Sequence, residues 1–191
     1  MSKEGIRINI PNLISLVRLL CVPLTVWLII NSQVLAAFWV FVFASISDAL
    51  DGFIAKRFDL QTELGAYLDP IADKALLVSV FITLGQAGYL YSWLILLIVF
   101  RDGLILVGAF LYHLIHQNLT IKPLLISKIN TAAQFVLVTL VLGLHGYSIA
   151  SSVIIEMMVY VVAVTTLMSG AAYVGIWGMR AANAESGDSN E

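Results

Sequence analysis

Charge is scarce in this chain. Of its 191 residues only 12% are Asp, Glu, Lys or Arg, about half the share usual in a soluble domain. With 60% hydrophobic residues and a mean hydropathy of +0.96, a water-facing globule is excluded and an integral membrane protein is expected. Cysteine is nearly absent: Cys21 stands alone in an apolar segment, which rules out an internal disulfide framework. The first twelve residues, MSKEGIRINIPN, lack a short apolar core followed by a small-residue cleavage site, so no signal peptide is expected there. Nor are they an Arg/Ser-rich transit peptide. The net charge of −2 says little by itself, and nucleic acid is not expected as a partner. A bacterial inner membrane is the expected location.

What the chain does have is apolar runs. They cover about residues 12–31, 34–54, 68–87, 91–115, 124–144 and 150–178, each near the roughly 20 residues that a membrane-crossing helix needs. The expected fold is all-α, six transmembrane helices with a short interfacial N-terminal segment. It forms one membrane domain over 1–180, followed by a disordered polar tail, AANAESGDSNE, over 181–191. Pro11 and Asn12 read as the first helix start. The connections near 31–34, 85–91 and 143–152 carry no Lys or Arg, whereas Lys3, Arg7, Lys56, Arg57, Lys122, Lys128 and Arg180 gather on the other side. The positive-inside rule then makes both termini cytoplasmic. Arg101 alone lies deep.

One stretch breaks the apolar pattern with acids. DALDGFIAKRFDLQTELGAYLDPIAD, residues 48–73, holds Asp48 and Asp51 three apart and Asp69 and Asp73 four apart. On helices both spacings put the two side chains on one face. If spans two and three form an antiparallel hairpin, the two pairs can meet at its cytoplasmic end. Four carboxylates beside a hydrocarbon layer repel and are costly to desolvate. A hard divalent cation with oxygen ligands, one ion or two, compensates both effects. Nearby Lys56 and Arg57 suit a phosphate or diphosphate. Gly52 would admit close approach to the backbone, and Gly65 helix packing or a turn. The combination suggests metal-assisted phosphoryl chemistry on a substrate with a polar head and lipid tails.

The spacing Asp48-x2-Asp51-Gly52-x2-Ala55-Lys56-x8-Gly65-x3-Asp69-x3-Asp73 resembles the signature of the CDP-alcohol phosphotransferases, D-x2-D-G-x2-A-R-x8-G-x3-D-x3-D. Seven of its eight fixed positions match over 26 residues; the departure is Lys56 in place of Arg. PNLISLVR, residues 11–18, resembles the family's N-terminal element. The resemblance implies transfer of a phosphatidyl or related group from a CDP-linked donor to an alcohol, with release of CMP. It implies two Mg²⁺ or Mn²⁺ ions on Asp48, Asp51, Asp69 and Asp73, with Asp73 also the general base. It implies a CDP site at Asn12, Arg18, Gly52, Ala55, Lys56 and Gly65, with Arg57 a second candidate for the diphosphate. It also implies a homodimer.

Two further stretches bear on the acceptor. FRDGLILVGAFLY (100–112) and ISKINTAAQ (126–134) resemble elements of the eukaryotic-type cardiolipin synthases within that family. The related phosphatidylglycerophosphate synthases more often read K-x-K-T in the second, where this chain has Asn130. Less positive charge suits phosphatidylglycerol, a diester, better than glycerol-3-phosphate. Arg101 and Lys128 are the expected contacts for the acceptor phosphate. Plainer readings exist for each: Arg101–Asp102 as an ion pair locking helices, Lys128 and Arg18 as interfacial snorkelling residues, Lys56 and Arg57 as topology signals. His113, His116 and His145 read as interfacial, and Trp27, Trp39, Trp93 and Trp177 as lipid-facing anchors. A cation transporter also carries membrane acids, but on broken helices in two related halves; here the acids share one hairpin.

Overall fold

The computed structural model describes the backbone of residues 10–58, 63–115, 125–149 and 152–188, and side chains over 17–47, 74–108, 125–149 and 152–176. Among these residues there are six α-helices and no strands: α1 Ile10–Ile30, α2 Val34–Phe58, α3 Glu63–Gln86, α4 Ser92–Ile115, α5 Leu125–Gly146 and α6 Ser152–Asp188. The helix count is the expected one. α2 runs further than expected, so Lys56 and Arg57 are helical, and α3 starts earlier, so Gly65 is helical too. α6 continues to Asp188, through most of the stretch expected to be disordered. Ala181, Ala182, Ala184 and Glu185 are strong helix formers and carry it on.

The helices fall into two compact units. The first comprises Met1–Leu90 and Val138–Ser151. Within it α1 packs against both α2 and α3. α3 buries Leu76, Leu77, Val80, Phe81 and Leu84, an apolar stripe at helical spacing. α2 contributes Ala37, Phe41 and Ala44, and the end of α5 contributes Val141 and Leu142. Gly146 comes so close to α2 that a Cβ there would lie 2.9 Å from Leu35 Cα. The second unit comprises Tyr91–Leu137 and Ser152–Glu191. Here α4 packs on α6, and Leu94, Ile98, Leu137, Val159, Val162 and Ala163 are buried.

Three helices of the first unit stop by the same device. After α1, Gln33 N–H donates to Leu28 O at 2.8 Å and Ser32 N–H to Ile29 O at 3.0 Å. After α3, Tyr89 N–H donates to Leu84 O and Gly88 N–H to Gly85 O. After α5, Ile149 N–H donates to Leu144 O and Ser148 N–H to His145 O. Each is a Schellman closure, which needs a left-handed residue, and Ser32, Gly88 and Ser148 have φ of 59°, 78° and 56°. These self-satisfied backbones make the connections after α1 and α3 short. A cleft of about 660 Å³ opens at this end, lined in part by Gln33, Trp39, Tyr89, His145 and Ser148.

The described surface is inverted relative to a soluble protein. Phe100 is 71% exposed and Leu96 70%, while the neighbouring Arg101 is 4% exposed. Trp27, Trp39 and Trp93 are also exposed, each close to one of the short turns, where interfacial aromatics sit. Such a continuous apolar exterior belongs in lipid. Among the described residues, Leu125–Gly146 and Ser152–Ile176 are long and apolar enough to cross a membrane. The apolar stretches Val17–Ile30, Val34–Ser47 and Lys74–Gln86 are shorter.

Candidate active site

The signature residues lie on two helices of the first unit. Asp48, Asp51, Gly52, Ala55, Lys56 and Arg57 occupy the C-terminal half of α2. Gly65, Asp69 and Asp73 occupy the N-terminal half of α3. Continuous helix through both halves puts each aspartate pair one turn apart, as the spacing requires. The side chains of all these residues, and of Asn12 on α1, lie outside the described residues. Among the described residues no three His, Cys, Asp or Glu groups could share a metal ion.

Arg18 is described: it sits on α1, 2% exposed, in the helix that packs on both signature helices. Burying a guanidinium is costly without compensation, so this position is not that of a snorkelling surface cation. The cleft of the first unit lies at the other end of α2. At 1.5 Å per residue, Val34 and Asp51 are about 25 Å apart along the helix, so the cleft is separate from the signature. In that cleft His145 Nδ1 pairs with Val141 O at 2.9 Å and the ring packs on Tyr89 at 4.5 Å.

The second unit holds Arg101 and Lys128. Arg101 on α4 is buried, and its Nη1 donates to Asp102 at 2.7 Å. The helical spacing rule set these neighbours apart; the length of the arginine side chain brings its tip back to the adjacent carboxylate. Nη2 donates to Ser127 Oγ on α5 at 2.7 Å and to Ser169 Oγ on α6. One guanidinium therefore ties three helices. Lys128 is exposed, beside Leu125, Ile129, Ala132 and Val136, which form the outward stripe of α5.

The opposite face of α5 carries Ser127, Asn130 and Gln134, at spacings of three and four. Asn130 and Gln134 are completely buried. Asn130 Oδ1 accepts from the hydroxyls of Thr165 and Thr166, both at 2.9 Å. Arg101 Nε, Asn130 Nδ2, Gln134 Nε2 and Gln134 Oε1 are buried without hydrogen-bond partners. Each such group costs about 1–3 kcal/mol. The stretch ISKINTAAQ already marks Asn130 and Gln134 by resemblance, but their burial, and the parts played by Ser169 and the two threonines, are not visible in it. Polar residues recurring at helical period inside an apolar helix were the available signal.

The chain belongs to the CDP-alcohol phosphatidyltransferase family, whose family model matches residues 8–177 and so spans both units. Relatives of two kinds of name are among those it matches. A chloroplastic CDP-diacylglycerol–glycerol-3-phosphate 3-phosphatidyltransferase of Oryza sativa is 34% identical over 186 residues, covering 87% of this chain and 56% of the relative. The cardiolipin synthase (CMP-forming) of Rattus norvegicus is 32% identical over 181 residues, covering 86% of this chain and 60% of the relative. The chain thus spans little more than half the length of these two relatives. A CDP-diacylglycerol–glycerol-3-phosphate 3-phosphatidyltransferase of Rickettsia typhi is 32% identical over 170 residues, covering 86% of this chain and 94% of the relative.

Proposed function

We propose that the chain transfers the phosphatidyl group of CDP-diacylglycerol to an alcohol, releasing CMP, and that the alcohol is phosphatidylglycerol, giving cardiolipin. The observation that carries the transferase reading is the placement of the full signature on two helices of one unit, in a chain that belongs to this family. In this reading six helices cross a bacterial inner membrane, both termini and the signature face the cytoplasm, and the protein is a homodimer.

The acceptor oxygen forms a bond to the β-phosphorus of CDP-diacylglycerol as the bond to the CMP oxygen breaks, and CMP leaves with that electron pair. Asp73 takes the proton from the acceptor hydroxyl. Lys56 holds the donor diphosphate as a point charge, with Arg57 beside it in sequence. Asn12 and Arg18 hold the nucleotide, and Gly52, Ala55 and Gly65 leave room for it. Lys128 takes the acceptor phosphate. Arg101 contributes charge from a buried position, because its terminal nitrogens are spent on Asp102, Ser127 and Ser169. The donor set of Asp48, Asp51, Asp69 and Asp73, all hard carboxylate oxygen, fits two Mg²⁺ or Mn²⁺ ions. When bound, such ions neutralise diphosphate charge.

A second reading, with glycerol-3-phosphate as acceptor, is favoured by the Rickettsia relative, of which the chain covers 94%. Neutral Asn130, buried and fixed by two threonines, favours the diester. The test is an assay of the purified protein with labelled CDP-diacylglycerol and each acceptor offered separately: phosphatidylglycerol, glycerol-3-phosphate, inositol phosphate and serine. Cardiolipin is the expected product. Phosphatidylglycerophosphate, with no cardiolipin when phosphatidylglycerol is supplied, overturns the acceptor assignment and leaves the transferase standing.

A further inference from the structure

One carboxylate stands on an otherwise apolar surface. Glu156 is exposed on α6, and so are its neighbours Val153, Ile154, Met157 and Tyr160. The first turn of α6 holds no acid; Glu156 comes after it, past the reach of the helix dipole. The charge therefore needs another compensation. Among the described side chains of the second unit the cations are Arg101 and Lys128. Arg101 is spent on Asp102, Ser127 and Ser169, and Ser169 lies about 20 Å along α6 from Glu156. Lys128 adjoins Ser127 in sequence and shares that distant level. The group that does reach Glu156 is the Tyr91 hydroxyl, which donates to Oε1 at 3.4 Å. This long bond leaves most of the carboxylate's acceptor capacity open. The Tyr91 ring stacks with Trp93, centroids 6.3 Å apart at 22°, and the faces of such rings attract cations. Tyr91 immediately precedes α4, and Glu156 is about 6 Å into α6. A lipid head-group layer is about 5–8 Å thick on each side of the hydrocarbon, so the acid sits at head-group depth.

We propose that Glu156 and Tyr91 form a binding site for the primary ammonium of a phosphatidylethanolamine head group, at the membrane face where α4 and α6 begin. The ammonium brings three N–H donors and a positive charge. The open carboxylate oxygen and the lone pairs of the Tyr91 hydroxyl are acceptors for them. A quaternary ammonium has no N–H to give, so it leaves the carboxylate unsatisfied. An anionic head group is repelled. The inference rests on the reading that these helices cross a membrane. It is independent of the acceptor alcohol and of which membrane face is cytoplasmic.

The experiment titrates the full chain in detergent with phosphatidylethanolamine and, separately, phosphatidylcholine of identical acyl chains, and reads bound lipid by native mass spectrometry. The unmodified protein is expected to bind phosphatidylethanolamine about fivefold more tightly, the upper end for a surface ion pair. Glu156→Gln should bind the two lipids equally, and Tyr91→Phe should fall between. Equal binding of both lipids by the unmodified protein overturns the inference, as does a preference that survives in Glu156→Gln. A second measurement needs no variant. In phosphatidylethanolamine vesicles a water-soluble carbodiimide activates carboxylates, and an amine in contact displaces the urea to form an amide. Peptide mapping should place the lipid adduct on Glu156; its absence there overturns the site. Failure of the protein to incorporate into vesicles of either lipid would instead overturn the membrane-spanning reading.

Discussion

Replacing Arg101 separates a structural tie from a substrate contact. Arg101→Met keeps the length of the side chain and removes its hydrogen bonds to Asp102, Ser127 and Ser169. The Asp102 side chain is 5% exposed, and its carboxylate loses this cation. Breaking a buried pair costs about 3–5 kcal/mol; Asp102 has another interaction, so the lower end applies. The two serine hydrogen bonds add about 1 kcal/mol, at about 0.6 each between membrane helices. A loss near about 4 kcal/mol lowers Tm by about 8–16 °C in a domain of this size. Thermal unfolding in detergent, followed by circular dichroism, reads it. Arg101→Met combined with Asp102→Leu should recover most of the loss, since an apolar pair needs no compensation. A single variant with unchanged Tm and a raised acceptor KM would refute the tie and restore Arg101 as a phosphate contact. So would a double variant less stable than the single.

Further outcomes are expected. EDTA should abolish turnover and Mg²⁺ or Mn²⁺ restore it; full turnover in chelator would remove the metal assignment. Asp73→Asn should still bind CDP-diacylglycerol but lose about 10²-fold or more in kcat, with binding followed by equilibrium dialysis of labelled donor. Gly146→Ala forces a Cβ against the Leu35 backbone and should lower stability by about 1–3 kcal/mol. Gly103→Ala, with open space around it, should raise stability by about 0.5–1 kcal/mol; similar Tm shifts for the two would contradict the packing. Ser32→Gly and Ser148→Gly relieve left-handed backbone and should each raise stability by about 1 kcal/mol, read as Tm.

The six helices were legible because the apolar runs are long and the breaks between them are polar. The starts of α2 and α4 fell within a residue of expectation. The ends nearest the signature did not, because polar residues such as Lys56 and Arg57 resemble a loop in composition while their propensity is helical. The signature was legible as spacing alone, since acids three and four apart have meaning only on a helix. The Arg101 network was not. Its partners Ser127 and Ser169 lie 26 and 68 residues away, and a serine in a membrane helix looks the same whether it faces lipid, backbone or a guanidinium. Asn130 and Gln134 were marked by the ISKINTAAQ stretch, but their burial was hidden for a related reason: burial of a single amide leaves no trace in composition.

The apolar exterior of the helices has a thermodynamic consequence. A water-soluble protein acquires its large heat capacity of unfolding by exposing apolar surface to water. Leu96, Phe100, Leu106, Met157, Tyr160 and Val164 are already outside in the folded state, and lipid or detergent surrounds them before and after the helices separate. The groups that change environment most are Arg101, Asp102, Asn130, Gln134, Thr166 and Ser169, all polar and all inside. Helix separation should therefore show a small heat capacity change and a flat dependence of stability on temperature, without the loss on cooling that a hydrophobic core brings.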